Sequence, residues 1–308
     1  MGIDFRGKKT LVLGSGGTSL TACHVVREAG GEAIVISRQG ENNYDNLMNH
    51  ADAAVIVNAT PVGMYPKAEQ SPIDLRAFPK PEGVLDVVYN PLRTRLLQQA
   101  EELAIPHAGG LTMLVWQAVR ARELFDGHAI APEAARRAEA ALRREVTSIV
   151  LIGMPGVGKT TVGRRVAKQL GMTLVDIDEE IVGGAGKSIP DIFEQDGEKA
   201  FRDLESEQIA KFGGQGGIVL VTGGGAVLRE ENRRHLRMNG FVVRLTRPIE
   251  LLPTKGRPLS QNVEKLRQMA EEREPFYQRC ADATVANTGT HNQCVHSILE
   301  AYHEALGD

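Results

Sequence analysis

The chain has 308 residues, a length that predicts two domains, each large enough to bury its own core. Its 36 Lys and Arg residues nearly balance 39 Asp and Glu residues, so the net charge is -3, and the basic residues are scattered along the chain. This charge pattern argues against a nucleic-acid-binding protein.

The cysteines and the N-terminus indicate the cellular compartment. Cys23, Cys280 and Cys294 lie far apart, without a CxxC motif or a Cys/His metal spacing. An odd and sparse set of cysteines argues against a disulfide framework. The N-terminus lacks the pattern of a secretory signal, and no stretch approaches the ~18 apolar residues of a membrane helix. We therefore expect a soluble cytoplasmic protein without a membrane partner.

Short apolar runs rich in β-branched residues alternate with helical segments in both halves of the chain. The first half contains KTLVLG, EAIVIS, AAVIVNA and GVLDVVYN, and the second contains SIVLIG, MTLVDID, GIVLVTGGG and GFVVRL. This alternation is typical of βαβ units around a parallel sheet. Between the halves, residues 132–147 predict a helix, because Pro132 suits a first helical turn and strong helix formers follow it. We place the domain boundary near residue 147.

A glycine-rich turn follows the first predicted strand, in the stretch TLVLGSGGTSLTA at 10–22. Its residues are Gly14, Ser15, Gly16 and Gly17. The helix predicted after it has an apolar stripe of Ala22, Val25, Val26 and Ala29. A glycine turn between strand and helix lets backbone N–H groups and the helix N-terminus approach a pyrophosphate. The pattern is GxGGxxxxA, so glycines that only form a tight turn are the alternative.

The end of the second predicted strand indicates which dinucleotide would bind. An NAD site has an Asp or Glu there to bond the ribose 2′-hydroxyl, whereas this chain has Ser37 and Arg38. A guanidinium suits a 2′-phosphate, which favours NADP. The alternative is that Arg38 is a solvated surface charge.

Three further phrases extend this prediction. They are NATPVGMYP at 58–66, DVVYNPLRTRLLQQA at 86–100 and AGGLTMLVWQA at 108–118. With the glycine loop and Arg38, they resemble the NADP-binding domain of shikimate dehydrogenase over about residues 5–128. The resemblance implies that the glycine loop holds the pyrophosphate and Arg38 meets the 2′-phosphate. It also implies that Thr60 and Met113 lie by the nicotinamide and that Gln117 reaches the substrate, although packing is an alternative role for Met113.

That family has an N-terminal substrate domain, with a serine pair for the substrate carboxylate and the catalytic Lys and Asp. Such a domain would precede residue 1 of this sequence. We therefore expect a cofactor domain without an acceptor site, and no dehydrogenase activity in this chain.

A second glycine loop, GMPGVGKTT at 153–161, matches G-x-x-x-x-G-K-[ST] between a predicted strand and a predicted helix. In such a loop the backbone N–H groups hold the phosphates, Lys159 brings charge to the β/γ oxygens, and the Thr160 hydroxyl can ligate Mg²⁺. The predicted ATP-binding residues are Gly153, Gly156, Val157, Gly158, Lys159, Thr160 and Thr161.

Two carboxylates follow in the phrase TLVDID. We expect Asp176 and Asp178 on one strand, where residues two apart point to the same side. One carboxylate would then point toward the Mg²⁺ shell, and the other toward an acceptor hydroxyl. The alternative is that Asp178 caps the next helix.

Two arginines indicate the charge of the acceptor. GEKAFRDLE places Arg202 on a helix, and EEREPFYQR places Arg273 near a helix end. Arginine forms fork-like pairs with carboxylates, so a carboxylate-bearing acceptor is predicted. VTGGGAV places Gly223, Gly224 and Gly225 after a buried strand.

These phrases together resemble shikimate kinase over about residues 147–306. The resemblance implies that Asp178 binds the acceptor hydroxyls and acts as base, while Asp176 orders the Mg²⁺ shell. Arg202 and Arg273 would hold the shikimate carboxylate, and Gly224 would contact the ring.

The phrase LPTKGRPLS at 252–260 resembles the mobile lid of that family, with Arg257 folding over the phosphates. An Arg that stacks on adenine in longer-lid relatives has no counterpart here, because Leu252 and Pro253 fall near its place.

The resulting prediction is an α/β protein with two doubly wound parallel sheets. A Rossmann-type cofactor domain at 1–131 would be followed by a helical linker at 132–146 and a P-loop kinase domain at 147–308. The resemblance implies phosphorylation of shikimate to shikimate 3-phosphate with ATP and Mg²⁺. Two alternatives stay open: another small-molecule P-loop kinase, for gluconate or a nucleotide, and a nucleotide-binding regulatory protein without turnover.

Overall fold

Residues 3–252 and 263–307 are described by a computed structural model of the chain. The chain divides into two units, Met1–Glu139 and Ala140–Asp308. Each unit contains one parallel five-stranded sheet with helices packed on it. The predicted α/β class with two doubly wound sheets is confirmed.

The sheet of the first unit has the strand order β2-β1-β3-β4-β5, and all its neighbours are parallel. Its strands are β1 (Lys9–Leu13), β2 (Glu32–Ile36), β3 (Val55–Asn58), β4 (Gly83–Asp86) and β5 (His107–Ala108). Leu11 and Leu13 pack on one face of this sheet, and Val12 packs on the other. From β1 the chain continues to β2 on one side of the sheet, and from β3 it continues to β4 on the other side. In open α/β sheets, ligands bind at the point where the strand order reverses in this way.

The helices of the first unit are α1 (Gly17–Glu28), α2 (Arg95–Glu102) and α3 (Leu111–Asp126), with 3₁₀ turns at Leu47–His50 and Leu75–Ala77, and α4 (Pro132–Val146) follows them in the chain. The predicted stripe of α1 is wrong in part, because Val25 is 50% exposed. The buried residues of α1 are Ser19, Cys23 and Val26, which follow the spacing of one helix face.

The sheet of the second unit has the strand order β10-β9-β6-β8-β7, also with parallel neighbours. Its strands are β6 (Ser148–Ile152), β7 (Thr173–Asp176), β8 (Ile218–Val221), β9 (Gly240–Thr246) and β10 (Ala283–Ala286). Every residue of β6 and β8 is buried, which explains their continuous apolar sequences.

Helices cover both faces of this second sheet. They are α5 (Lys159–Leu170), α6 (Ile177–Ala185), α7 (Ile189–Gln195), α8 (Gly197–Gly213), α9 (Glu230–Met238), α10 (Val263–Cys280) and α11 (His291–Leu306), with 3₁₀ turns at Ala226–Leu228 and Ile249–Leu251. Ile149 and Leu151 of β6 pack into one core layer, and Val150 and Ile152 pack into the other. Because β6, β7 and β8 are parallel neighbours, their carboxyl ends meet at one edge of the sheet.

The division between the units falls inside α4, and this helix covers the segment predicted to be helical. The assignment of 132–146 as a linker stays a prediction. In the part of the chain that the structure describes, no helix is both long enough and apolar enough to cross a membrane.

Candidate functional site

The phosphate loop of the second unit connects β6 to α5. Gly153 has φ +140°, and a Cβ there would lie 2.4 Å from the Leu245 carbonyl oxygen, so only glycine fits. Gly158 has φ +100° and forms the N-cap of α5, which leaves the first backbone N–H groups of that helix facing the loop. These two positions give the strand-turn-helix geometry that binds anions.

Lys159 and Thr160 begin α5 beside this loop. The Lys159 ammonium is largely buried and donates hydrogen bonds to the carbonyl oxygens of Gly153 at 2.8 Å and Met154 at 3.1 Å. The Thr160 hydroxyl donates to Asp176 Oδ2 at 2.8 Å. A positive charge and a hydroxyl–carboxylate pair thus lie at the helix N-terminus.

Asp176 and Asp178 do not share a strand, so that expectation is wrong. β7 ends at Asp176, and Asp178 lies in the first turn of α6. The physical reason is a helix cap. Asp176 Oδ1 accepts a hydrogen bond from the Asp178 backbone N–H at 3.1 Å, so α6 begins at Ile177 and Asp178 is helical instead of extended. The capping residue is therefore Asp176, whereas the Asp178 carboxylate points into the cleft.

Asp178, like the neighbouring Glu205, is a carboxylate of the cleft whose pKa is raised. Burial raises its pKa to about 6, and repulsion by Asp176 and Glu205 adds to the rise, while Lys159 and Arg202 oppose it. Its Oδ1 is buried and has no hydrogen-bond partner among the described residues. Such a carboxylate can accept a proton near neutral pH.

Arg202 and Glu205 form a buried ion pair on α8. Arg202 Nη1 donates to Glu205 Oε2 at 2.8 Å, and Glu205 is 0% exposed. A Cβ on Gly223 would lie 2.4 Å from Glu205 Oε1 and 3.3 Å from Asp178 Oδ1, so a bare backbone separates the two carboxylates. A Cβ on Gly225 would lie 2.4 Å from Arg202 Nη1. The glycine run therefore lets these side chains converge.

Arg273 reaches the same place from α10. It is 6% exposed, and its Nη1 donates to the Gly224 carbonyl oxygen at 2.9 Å. A guanidinium has five N–H donors, so this bond leaves others to point at a ligand. Arg202 and Arg273 are 71 positions apart and line one cleft.

Most of the site residues predicted for the second unit line one cavity of about 680 Å³. Those that line it are Gly156, Gly158, Lys159, Thr160, Thr161, Asp176, Asp178, Arg202, Gly223, Gly224, Gly225 and Arg273. Gly153 and Val157 are not among its lining residues, because Gly153 packs on β9 and the Val157 side chain belongs to the core. Arg257 lies outside the described residues.

Several residues that line this cavity were not predicted from the sequence. They are Glu205, the apolar Ile189, Pro190, Phe193, Phe201 and Met269, and the polar Arg247, Asn287 and His291. A signal for Glu205 existed: it lies four positions from Phe201 and from Ile209, on the buried face of α8. A charged residue in an apolar stripe is normally paired, and Arg202 is three positions away.

The donor set at Thr160 and Asp176 fits Mg²⁺. Both groups are oxygen ligands, and Mg²⁺ in phosphoryl-transfer sites takes one or two protein oxygens together with substrate phosphates and water. No group of three or more His, Cys, Asp or Glu side chains within 3–252 and 263–307 could hold a metal ion by itself. An ion here would therefore depend on nucleotide phosphates.

The first unit forms a separate candidate site at the carboxyl edge of its sheet. A Cβ on Gly14 would lie 2.9 Å from Thr60 Cγ2 and 3.1 Å from the Ala59 carbonyl oxygen, and the residue has φ +107°. A Cβ on Gly16 or Gly17 would meet nothing within 4 Å. Gly14 thus serves a close approach of the chain, while the other two glycines leave open space for a ligand.

The predicted cofactor residues of the first unit lie at this same edge. The Gly14 N–H donates to the Ile36 carbonyl oxygen at 2.8 Å, so the glycine loop adjoins the end of β2, where Ser37 and Arg38 follow. Ser15 and Arg38 are exposed.

Met113 and Gln117 lie farther along the chain, on α3. Met113 is 42% exposed and Gln117 is exposed, so the alternative of core packing for Met113 is wrong. Their contacts with a cofactor stay predictions.

A buried network holds Thr60 in this unit. Asp86 accepts hydrogen bonds from Asn58 Nδ2 at 2.9 Å, the Val88 N–H at 3.0 Å and the Thr94 hydroxyl at 2.6 Å. Asn58 Oδ1 in turn accepts from the Thr60 hydroxyl at 2.6 Å. Burial raises the pKa of Asp86 to about 6. The Thr60 methyl group therefore faces the glycine loop, because its hydroxyl is bonded to Asn58.

The sequence of the second unit is similar to the sequences of a known protein family. The sequence model of the shikimate kinase family matches residues 155–303. A shikimate kinase from Methylococcus capsulatus is 43% identical over 173 residues, which cover 53% of this chain and 96% of that protein.

Two solved structures are similar to the two halves. Shikimate kinase from Acinetobacter baumannii in complex with shikimate is 36% identical, with a TM-score of 0.51, and the match covers 54% of this chain and 98% of that one. The N-terminal half matches shikimate 5-dehydrogenase from Thermus thermophilus in complex with NADP(H) and shikimate. That match is 34% identical, with a TM-score of 0.38, and covers 43% of this chain and 56% of the other.

Proposed function

The chain belongs to the shikimate kinase family through its second unit, and from this premise we propose that it transfers the γ-phosphoryl group of ATP to a hydroxyl of shikimate. The product would be shikimate 3-phosphate. The observation that carries the proposal is one cleft in which a P-loop lysine, a carboxylate of raised pKa and two carboxylate-binding arginines lie together.

Different residues of the cleft bind the two substrates. The backbone N–H groups at the start of α5 and the Lys159 ammonium bind the β/γ-phosphates, which replace the carbonyl contacts that Lys159 makes in this structure. Arg202 and Arg273 bind the shikimate carboxylate, and the apolar wall around Phe193 and Phe201 covers the ring. Two negatively charged substrate groups, the phosphates and the carboxylate, are thereby held by separate cations at opposite ends of one cleft.

Asp178 lies between these two ends and receives the proton. In the transfer, the acceptor hydroxyl forms a bond to the γ-phosphorus and its O–H bond breaks, with the proton passing to Asp178 Oδ1. The bond from the γ-phosphorus to the bridging oxygen breaks, and ADP leaves. Catalysis of this kind depends mainly on positioning and electrostatics.

Mg²⁺ would be held by Thr160 and Asp176 together with phosphate oxygens. When bound, it supplies charge neutralisation on the β- and γ-phosphates.

ADP release in a coupled assay, with and without shikimate, tests the proposal. Shikimate-dependent release, absent with gluconate and with nucleoside monophosphates, would support it. Release with one of those acceptors instead would favour another P-loop kinase. Nucleotide binding without release for any acceptor would favour a regulatory protein.

The arginine pair yields a prediction about acceptor affinity. Arg202→Ala and Arg273→Ala should each raise KM for shikimate by roughly 10- to 100-fold with little change in KM for ATP, because each removes a charge-assisted pair worth about 1.5 to 3 kcal/mol. Arg202→Ala should also lower Tm, because it leaves the buried Glu205 carboxylate without its partner.

Steady-state kinetics with each substrate varied in turn measures this effect. Arg267→Ala is the matched control, because Arg267 lies on the exposed face of α10 and pairs with Glu250 at 3.2 Å. A selective loss of ATP affinity in both cleft variants would contradict the carboxylate role.

For the first unit, we infer that it binds NADP(H) but does not catalyse hydride transfer. The glycine loop and Arg38 support cofactor binding at the switch point of the sheet. The Asp86 carboxylate at the same edge is 3% exposed, and both its oxygens accept hydrogen bonds, so it is a poor candidate for a general base. Hydride transfer also needs a substrate held at the nicotinamide and a group that moves its proton.

This inference predicts tighter binding of NADP than of NAD, and no NADPH formation from shikimate. The arginine contact to a 2′-phosphate is worth about 10-fold or more. Calorimetric titration measures binding, and absorbance at high protein concentration measures turnover. Arg38→Ala should remove the preference, whereas Arg27→Ala, an exposed arginine on α1, should keep it. Measurable turnover, or tighter binding of NAD, would refute the respective assignment.

A further inference from the structure

One backbone carbonyl in the cleft accepts two hydrogen bonds from a single helix. The Tyr277 hydroxyl donates to the Gly224 oxygen at 2.6 Å, and Arg273 Nη1 donates to the same oxygen at 2.9 Å. Residues four apart on a helix share a face, so both donors of α10 point at the glycine run together. The position of Gly224 and the orientation of Arg273 are therefore coupled.

Gly224 is confined on its other side by the phosphate loop. A Cβ on Gly224 would lie 2.5 Å from Pro155 Cδ, which means that its backbone already packs against that proline. The peptide therefore lies between the donors of α10 and the loop that precedes Lys159.

The Tyr277 ring is itself held firmly. The side chain is 1% exposed, and the Arg244 guanidinium lies 5.3 Å from the ring centroid. Arg244 makes two bonds to Glu274, one of them from Nη1 to Oε1 at 2.7 Å. Burial raises the pKa of Tyr277 to about 12, so the hydroxyl keeps its proton and acts as a donor at neutral pH.

We propose that Tyr277 is a positioning residue for acceptor binding, which acts through the Gly224 carbonyl on Arg273. With the hydroxyl in place, both lone pairs of the carbonyl oxygen have donors, and the Arg273 guanidinium keeps its remaining N–H groups directed into the cleft. Without it, the peptide can turn toward another donor and the guanidinium follows. The proposal rests on the proposed function, in which Arg273 binds the shikimate carboxylate.

Tyr277→Phe tests the proposal, because it removes the hydroxyl and keeps the ring. We expect KM for shikimate to rise about 2- to 10-fold, the range for one net hydrogen bond, with kcat and KM for ATP nearly unchanged. Tyr302→Phe is the matched control: Tyr302 is also fully buried on a helix of this unit, and its hydroxyl donates to the Arg144 and Thr147 carbonyl oxygens at 3.3 Å. It should leave all three constants unchanged.

A double-mutant cycle separates this role from a loss of stability. In an Arg273→Ala background, Tyr277→Phe should add no further rise in KM for shikimate, because the residue through which it acts is gone. An additive rise would overturn the proposal, and so would an unchanged KM in the single variant. Circular dichroism checks that each variant folds. If Tyr277→Phe does not fold, Tyr277→Met replaces it, because methionine also lacks the hydroxyl and adapts to irregular apolar space, and an unchanged KM for shikimate there would overturn the proposal.

Failure of the proposed function has a different signature. In that case the wild-type chain itself would release no ADP with shikimate, whatever the variants do. Shikimate-dependent release by the wild type, with no effect of Tyr277→Phe, would overturn the Tyr277 assignment alone.

Discussion

Asp178→Asn is expected to lower kcat for shikimate phosphorylation by roughly 10²-fold or more, because the amide cannot accept the proton of the acceptor hydroxyl. The fold should persist. The folded pKa of about 6 lies above the ordinary aspartate value of 3.8, so the stabilising effect of the bound proton is fully present below about pH 4 and is lost as pH rises through 6. At pH 7.5 the wild type bears the full cost of the buried charge, and the Asn variant should have an equal or higher Tm.

Glu179→Gln is the control for this prediction. Glu179 is the next residue of α6, pairs with Arg164 at 2.8 Å and is exposed, so its variant should retain wild-type turnover. In the wild type, kcat/KM for shikimate should fall as pH drops below about 6, where Asp178 becomes protonated. Near wild-type turnover in Asp178→Asn would exclude the base role.

Lys159→Ala is expected to lower kcat by roughly 10²- to 10³-fold, because it removes a charge aimed at the transferring phosphoryl group. The ammonium is buried at the start of α5 and bonds the loop carbonyls of Gly153 and Met154, so ATP affinity should also fall. Single-turnover kinetics and calorimetric titration with ATP separate the two effects.

Lys168→Ala removes an exposed lysine from the last turn of the same helix and should leave both quantities unchanged. If Lys159→Ala kept wild-type kcat, the phosphate loop would have another function than phosphoryl transfer in this chain.

Several of these features could be predicted from the sequence because they are local. The phosphate loop is one contiguous turn between a buried strand and a helix, and the positive φ of Gly158 is a property of that turn. The alternation of apolar runs likewise predicted both parallel sheets. The resemblance of the second half to shikimate kinase is confirmed by its relatives.

Short or capped elements were harder to predict. β5 has only two residues and β10 has one buried residue among its four, and neither was predicted as a strand. The apolar run of β7 appeared to continue to Asp178, because a period of two cannot show where a carboxylate turns to cap a helix. The bond from the Asp178 N–H to Asp176 ended the strand there.

The two α/β units, the phosphate loop and several of the polar residues that line its cleft could be predicted from the sequence. Three features became visible only in the folded chain: Asp176 is the cap while Asp178 faces the cleft, Glu205 pairs with Arg202 under the glycine run, and Tyr277 reaches Gly224. The reason is that burial and backbone approach set these roles. Tyr277 and Gly224 are 53 positions apart in sequence, and only the packing of α10 on the strand ends brings them within a hydrogen bond.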